Sequence, residues 1–425
     1  MTSETIQTAV ALGVDIGTSG VRAAAVSEGG AVVGFAATPF SDPGDSRNPK
    51  AWWANVERCL AQLASTTSLA SIEGVAVDGT SGTVLSVDAA GKPGEVLMYN
   101  EPCPDRDIVE RISRVAPGNS PAVGSNSGLA RAIYLSRPDD SRRVLHQADW
   151  ILSQLGLETP TSDENNALKS GYDLLHERWP DWIEAAGLDM DRLPDVRRTG
   201  TPLAPVGTYL RTLGLPAFSR FHAGTTDGCA SFLATGAAAI GDGVTALGST
   251  LVLKLASDRP INAPEFGVYS HRVLGFWLVG GASNSGGAVI RALIGDERLA
   301  DLTSRLDATH PTGLDYYPLL KPGERFPFND PTLEPRLTPR PADDAVFFQA
   351  VLEGMTEIER SGYSKLRELG APPLQSVRTV GGGSKNPVWT EMRQRALAVP
   401  FAPAWSVEAA VGAASLVLAK RGQGA

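Results

Sequence analysis

Residues 13-GVDIGTSGVR-22 place an acidic side chain and a Gly-Thr-Ser-Gly loop between two apolar runs. These runs, Ala9–Val14 and Val21–Ser27, alternate as strands do, so the stretch predicts a β-hairpin. Glycines let main-chain N–H groups approach phosphate oxygens, and the hydroxyls of Thr18 and Ser19 add donors. The loop lacks the Gly-Lys-Ser/Thr ending of a P-loop and leads into a strand instead of a helix. It indicates a different kind of phosphate-binding hairpin, although a plain tight turn would share its composition.

Composition limits the kinds of protein that this chain can be. Its 425 residues suffice for two or three domains, and its 42% hydrophobic and 20% charged residues are typical of a soluble globular protein. A net charge of −9 argues against general nucleic-acid binding. Three widely spaced cysteines form neither a disulfide framework nor a zinc site. Because no signal peptide or membrane-spanning run is present, we expect a cytoplasmic protein without nucleic-acid or membrane partners.

The predicted elements alternate in the manner of an α/β protein. A three-strand meander over residues 1–40 precedes a helix at Pro49–Ala64 and a strand at Glu73–Asp78. A second hairpin, Val244–Leu253, resembles the first, with Gly248-Ser249-Thr250 in the place of Gly17-Thr18-Ser19. An approximate internal duplication is therefore predicted.

Glycine and hydroxyl residues recur in loops that come after predicted strands: 15–20, 78–83, 247–250, 280–287 and 381–386. Carboxylates accompany these loops at Asp15, Asp78 and Asp227. Each loop alone could be only a turn or a close helix contact, but phosphoryl transfer needs this combination of phosphate donors, a metal and a base. Because the two hairpin loops contain no basic residue, we expect amides, hydroxyls and a metal to neutralise the phosphates.

Asp227 is the candidate base. It comes after Gly224-Thr225-Thr226 and precedes a helix predicted at Cys229–Thr235, whose N-terminus would keep a carboxylate ionised. Aspartate is also a favoured N-cap residue, and Asp227 can serve in both ways. Asp15, at the end of the first strand, is placed to hold a hydrated Mg²⁺.

These residues, in this order, resemble the FGGY family of carbohydrate kinases over nearly the whole chain. The resemblance rests on two phosphate hairpins, a sugar-side loop, a base segment, an adenosine segment and a closing helix: 15–20, 247–250, 78–82, 224–227, 381–389 and 408–414. It implies an α/β protein of two actin-like ATPase (ribonuclease H-like) domains, with the active site in the cleft between them. The first domain would cover residues 1–232 plus 407–425, on the sugar and phosphate side, and the second 233–406, on the nucleotide side.

The resemblance also implies the roles of individual residues. Asp227 would be the catalytic base, Asp15 would hold Mg²⁺ through water, and Thr18 would take part in catalysis. Residues of both hairpins and of the adenosine segment would bind ATP: Gly17, Thr18, Ser19, Gly248, Ser249, Thr250, Gly281, Gly286, Gly382, Gly383, Asn386 and Trp389. The residues on the sugar side would be Asp78, Ser81, Asp227 and Gly228. Of Asp78 and Ser81, Ser81 is the better candidate for a direct contact with the sugar.

Within the family, the chain is similar to a short cyanobacterial and plant branch that resembles xylulose kinases but acts on D-ribulose. Three stretches carry this similarity: Val77–Leu85, Gln147–Trp150 and Gly313–Leu319. It implies phosphorylation of D-ribulose to D-ribulose 5-phosphate by a monomer or homodimer. Gly228 stands where that branch tends to carry serine, which leaves D-xylulose or another polyol open. An actin-like ATPase switch without a sugar acceptor is the alternative from another class.

Overall fold

The computed structural model describes residues 7–136 and 142–419. Their contacts divide the chain into two compact units. Unit 1 comprises the chain up to Ala234, the segment Arg272–Gly275, and the residues from Glu408 on; unit 2 comprises Thr235–His271 and Phe276–Val407. The short return at Arg272–Gly275 was not part of the predicted domain boundaries.

The described strands are β1 (Ala9–Ile16), β2 (Gly20–Ser27), β3 (Val32–Pro39), β4 (Gly74–Gly79), β5 (Val84–Val87), β6 (Pro93–Leu97), β7 (Arg143–His146), β8 (Thr161–Asp163), β9 (Asp195–Arg197), β10 (Pro202–Pro205), β11 (Arg220–His222), β12 (Thr225–Thr226), β13 (Asp242–Leu247), β14 (Leu251–Ser257), β15 (His271–Val273), β16 (Phe276–Ser283) and β17 (Ser376–Val380). The described α-helices are α1 (Pro49–Thr66), α2 (Arg106–Val115), α3 (Gly128–Leu135), α4 (Gln147–Gln154), α5 (Glu164–Leu168), α6 (Trp182–Ala185), α7 (Thr208–Thr212), α8 (Asp227–Ala234), α9 (Gly287–Ile294), α10 (Leu299–Thr303), α11 (Asp344–Glu368), α12 (Pro387–Leu397) and α13 (Ala409–Leu418).

The main sheet of unit 1 has the order β10-β11-β4-β1-β2-β3, with β12 also paired to β4. Strand β1 runs antiparallel to β2 and parallel to β4. Helix α13 packs on β1 so closely that a Cβ added to Gly13 would lie 1.9 Å from the Ala410 carbonyl oxygen. Helix α1 buries Trp52, Val56 and Leu60 in the core of the same sheet. The sheet is therefore covered by apolar helices, which fixes the positions of its strand ends.

The main sheet of unit 2 repeats this arrangement. Its order is β15-β16-β14-β13-β17, and β13 runs antiparallel to β14 and parallel to β17. The series β17-β13-β14-β16 thus has the same pairing directions as β4-β1-β2-β3 in unit 1. The two hairpins that look alike in sequence have equivalent neighbours in their sheets, as an internal duplication requires.

Several predicted bounds change in the structure. Helix α8 begins at Asp227, two residues before the predicted start. The prediction of a loop over 280–287 is wrong for the first half of that range, because β16 continues to Ser283. The small residues at the end of β16 pair with β14, and Gly281 lies opposite Leu253. The sequence pattern predicts the last helix over Glu408–Lys420; it is described over Ala409–Leu418, and the predicted end at Lys420 lies outside the described residues. Among the described residues, no helix is long and apolar enough to cross a membrane.

Candidate active site

Three carboxylates gather where neighbouring strands of unit 1 end. Asp15 lies opposite Asp78 in the parallel pair β1–β4, and Thr225 lies opposite Asp78 in the parallel pair β12–β4. Asp227 comes directly after β12 and opens α8. The negative charge of Asp227 raises the pKa of both other carboxyl groups, which places all three within one electrostatic site. The carboxyl ends of parallel strands are a common place for catalytic groups.

Asp78 is the innermost member of this group. Its side chain is fully buried, and no donor among the described residues reaches either carboxylate oxygen. Burial holds the pKa of Asp78 well above its usual range, and the nearby charge of Asp15 raises that pKa further. The direct contact of Asp78 with sugar stays a prediction, and in this structure the side chain is fully buried.

Arg22, on β2, connects the carboxylates to the first loop. Its guanidinium lies 3.3 Å from the Asp15 carboxylate, donates to the Ser19 hydroxyl at 3.1 Å, and lies 3.4 Å from Glu408. Burial raises the pKa of Asp15, whereas its hydrogen bond with Asp78 and the charge of Arg22 lower it. The sequence reasoning looked for basic residues only inside the loops and missed Arg22, which the antiparallel register brings opposite Asp15.

The sugar-side loop is held by buried side chains from other elements. The Gln147 carbonyl oxygen accepts hydrogen bonds from the Thr80 amide at 2.9 Å and from the Thr80 hydroxyl at 2.8 Å. Buried Arg131 donates to the Gly82 carbonyl at 2.8 Å. The hydroxyl of Ser81, by contrast, has no partner among the described residues. That hydroxyl oxygen is also buried, so a polar ligand that reached it would satisfy a group that has no partner among the described residues.

The structure places Gly228 beside the candidate base. The Gly228 amide donates to the carboxylate of Asp227 at 2.7 Å. Asp227 is half-buried, so its carboxylate keeps access from outside the sheet. This hydrogen bond fixes the orientation of the carboxylate at the start of α8.

Unit 2 holds a cavity of about 450 Å³ beside its own hairpin. Predicted nucleotide residues line it: Gly248, Gly382, Gly383, Asn386 and Trp389. Asn386 caps helix α12 by accepting from the Trp389 amide at 3.0 Å, and the Trp389 indole donates to Thr356 at 3.0 Å. The mixture of apolar wall, aromatic ring and glycine-rich edge suits an adenosine.

The hairpin loop of unit 2 is tied to the first turn of α9. The amide of Gly287 donates to the Gly248 carbonyl at 2.8 Å, and the amide of Ala288 donates to the Ser249 carbonyl at 3.0 Å. Gly286 has a φ of 142°, and a Cβ there would lie 2.7 Å from the Thr250 backbone, so only glycine allows this approach. Arg291 lines the cavity and donates to the Ser249 hydroxyl at 3.1 Å.

Gly281, which was predicted to bind nucleotide, does not line this cavity. Gly281 sits inside β16, and its α-carbon faces the ring of buried Phe326 instead of the cavity. Its small size is explained by packing, because a Cβ there would lie 2.5 Å from the Phe326 ring. Arg291, which the sequence reasoning did not select, lines the cavity that Gly281 was expected to line.

The carboxylates fit a magnesium ion only in part. Asp15 supplies the hard oxygen atoms that Mg²⁺ prefers. The described residues nevertheless include no group of three His, Cys, Asp or Glu side chains arranged to hold a metal ion. Mg²⁺ ordinarily keeps several waters and takes other ligands from substrate phosphates, which agrees with indirect binding at Asp15.

Family models account for most of the chain. The N-terminal domain of the FGGY family of carbohydrate kinases matches residues 10–136, and the C-terminal domain of the same family matches residues 240–420. These matches span more than two thirds of the 425 residues, so the chain belongs to the FGGY family of carbohydrate kinases. It is accordingly an ATP-dependent sugar kinase, as the resemblance of its loops predicted.

Individual relatives agree with this membership. Xylulose kinase of Escherichia coli (strain K12) is 24% identical over 426 residues, which cover 90% of this chain and 83% of the relative. Autoinducer-2 kinase of Yersinia enterocolitica is 24% identical over 397 residues, covering 82% and 73%. The crystal structure of xylulose kinase from Rhodospirillum rubrum matches with a TM-score of 0.82 and 24% identity, over 97% of this chain and 90% of that one. The predicted α/β class with two actin-like domains is confirmed by this likeness.

Proposed function

We propose that the protein transfers the γ-phosphoryl group of ATP to the terminal hydroxyl of D-ribulose, with Asp227 as general base. The observation that carries this proposal is the meeting of Asp15, Asp78 and Asp227 at adjoining strand ends. The unpaired Ser81 hydroxyl on the loop after β4 supplies a group for the sugar. This combination meets the needs of phosphoryl transfer to an alcohol.

Asp227 would accept the proton of the sugar hydroxyl as that oxygen bonds to the γ-phosphorus. The bond from phosphorus to the β,γ-bridging oxygen breaks at the same time, and ADP leaves with the electron pair. The Gly228 amide, at 2.7 Å, orients the carboxylate for this step. Arg22 and the hydroxyls of Thr18 and Ser19 would bind phosphate oxygens, and Ser249 and Thr250 would do so on the second hairpin.

The nucleoside of ATP would occupy the cavity edged by Gly382, Gly383, Asn386 and Trp389. Mg²⁺, held through water by Asp15, would neutralise charge on the phosphates when it is bound. Asp78 lies opposite Asp15 in the pair β1–β4 and would act on that carboxylate through its charge state. In this assignment Asp78 supports the site, and Ser81 contacts the sugar.

Two of the three stretches that resemble the D-ribulose branch form one local structure. Gln147, which begins the second stretch, accepts both hydrogen bonds from Thr80 in the first. The contact joins two of the stretches on which the resemblance to the D-ribulose branch rests, and that resemblance is the reason for proposing D-ribulose. D-Xylulose is the second candidate, since the similar proteins from E. coli and R. rubrum are xylulose kinases.

The test is ADP release with Mg·ATP and a panel of ketoses and polyols that starts with D-ribulose and D-xylulose. We expect D-ribulose to give the highest kcat/KM, and Asp227→Ala to lower kcat by about 10²–10⁴-fold. A higher kcat/KM for D-xylulose would replace the substrate proposal. Full activity of Asp227→Ala would instead overturn the assignment of the base.

A further inference from the structure

The strand that leads to Asp227 is too short to hold itself in place. Strand β12 consists of Thr225 and Thr226 only, and it pairs with the end of β4 through Asp78 and Gly79. A two-residue pairing supplies few main-chain hydrogen bonds, whereas a base must be held in a defined position for proton transfer. Side chains that bind β12 therefore influence where Asp227 lies.

Two adjacent amides on α5 bind Thr225 from the side. Asn165 Nδ2 donates to the Thr225 hydroxyl at 3.0 Å, and Asn166 Nδ2 donates to the Thr225 carbonyl at 3.2 Å. Asn165, Asn166 and Thr225 are all buried to at least 99%. In such an environment a lost hydrogen bond is not replaced by water, so each contact fixes position strongly.

The amide of Asn165 is itself fixed by the chain around it. Its Oδ1 accepts from the Arg272 amide at 3.1 Å, and its Nδ2 donates to the Arg272 carbonyl at 2.9 Å. Asp163 accepts from the main-chain amide of Asn165 at 2.9 Å and caps the helix. The side chain that reaches Thr225 thus has its orientation set by other bonds.

Asn165 Nδ2 also lies 3.1 Å from the hydroxyl of Thr199, so its two hydrogens are shared among three acceptors: Thr225, Arg272 and Thr199. Thr199 and Thr225 therefore make the same kind of contact with the same amide, and both are buried. Their places in the chain differ, because Thr225 lies two residues before Asp227, whereas Thr199 lies between β9 and β10. This pair provides a matched comparison.

We propose that Asn165 is a positioning residue for Asp227 and acts through the hydroxyl of Thr225. Asn165 touches neither sugar nor ATP in this role; it sets the position of the strand from which the base projects. The proposal rests on the proposed function of Asp227 as the base.

The experiment compares Thr225→Val, Thr225→Ser and Thr199→Val in the full chain, with Asp227→Ala alongside. Valine keeps the volume of threonine and removes the hydroxyl. We expect Thr225→Val to lower kcat by about 10- to 100-fold, since a displaced catalytic group costs that much. The KM for ATP should stay within about twofold of the original, and Thr225→Ser and Thr199→Val should keep kcat within about threefold.

An unchanged kcat in Thr225→Val would overturn the proposal, and so would an equal loss in Thr199→Val, which would indicate general damage to the Asn165 region. Thermal unfolding of each variant shows whether it is folded. If Thr225→Val does not fold, Thr225→Ala removes the same hydroxyl and should show the same loss of kcat. Activity in Asp227→Ala would refute the base itself, a result distinct from failure of the positioning role.

Discussion

Hairpin β1–β2 and hairpin β13–β14 each end in a glycine-serine loop whose serine binds an arginine from outside that loop. Ser19 accepts from Arg22 and Ser249 accepts from Arg291, both at 3.1 Å. The two hairpins also have equivalent strand neighbours. Their surroundings differ: Arg22 lies 3.3 Å from Asp15, whereas Arg291 lines a cavity and forms no ion pair among the described residues.

The strands next to the hairpins explain this difference. In unit 1 the parallel neighbour β4 carries Asp78 at its end, and β12 leads to Asp227. In unit 2 the parallel neighbour β17 ends at Val380 and continues into Gly381–Lys385, which leaves space beside the loop. In the proposed function the same hairpin frame binds phosphate in both units, and the adjoining strand ends decide whether acid–base chemistry or nucleoside binding accompanies it.

The largest effect should come from the carboxylate that has no counterpart in unit 2. Asp227→Asn keeps the shape of the side chain but cannot accept a proton, so we expect kcat to fall by about 10²–10⁴-fold. The affinity for ADP, measured by calorimetry, should stay unchanged. A large loss of ADP affinity would contradict the separation of roles between the two hairpins.

The next largest loss of kcat should come from replacing Arg22, the arginine of the first hairpin. In Arg22→Gln the Asp15 carboxylate loses its ion pair and Ser19 loses a charged donor, so kcat should fall by about 10²-fold. Steady-state kinetics with the preferred sugar provides the measurement. A change confined to the KM for ATP would show that Arg22 only binds nucleotide.

Arg291→Gln is the matched change on the second hairpin. It removes one charge-assisted contact and leaves the carboxylates intact, so we expect the KM for ATP to rise by about tenfold with kcat little changed. If Arg291→Gln lowered kcat as much as Arg22→Gln does, the contrast between the hairpins would fail.

The smallest effect concerns Ser81, whose hydroxyl has no partner among the described residues. Ser81→Ala removes no described hydrogen bond of the chain, so the unfolding temperature should stay the same. The sugar would lose one hydrogen bond, worth about 0.5–1.5 kcal/mol, and the KM for sugar should rise by about two- to tenfold. A lower unfolding temperature with an unchanged KM would place Ser81 in the fold instead of the site.

Local patterns predicted much of the fold. The sequence pattern predicts a helix at Pro387–Leu397 and a strand at Val84–Val87, and α12 and β5 have these bounds. The loop 280–287 was predicted wrongly because small residues resemble a loop locally, whereas pairing with β14 makes them a strand. The sequence reasoning assigned no role to four residues that act on residues far away in sequence: Gln147, Arg131, Asn165 and Arg291. It also missed Arg22, which the strand register brings opposite Asp15.

The sequence by itself determined the FGGY family, the two hairpins and the glycine and hydroxyl residues of their loops, because turns and alternating strands depend on neighbouring residues. Only the tertiary structure decided that Asp78 lies buried beneath Asp15 and that Thr225 is bound by Asn165. Those arrangements require β1, β4 and β12 to pair in one parallel register and helices to cover them. Pairing between distant segments decides which side chains come into contact and which are buried. Burial in turn shifts the pKa of the carboxyl groups, as it does for Asp78.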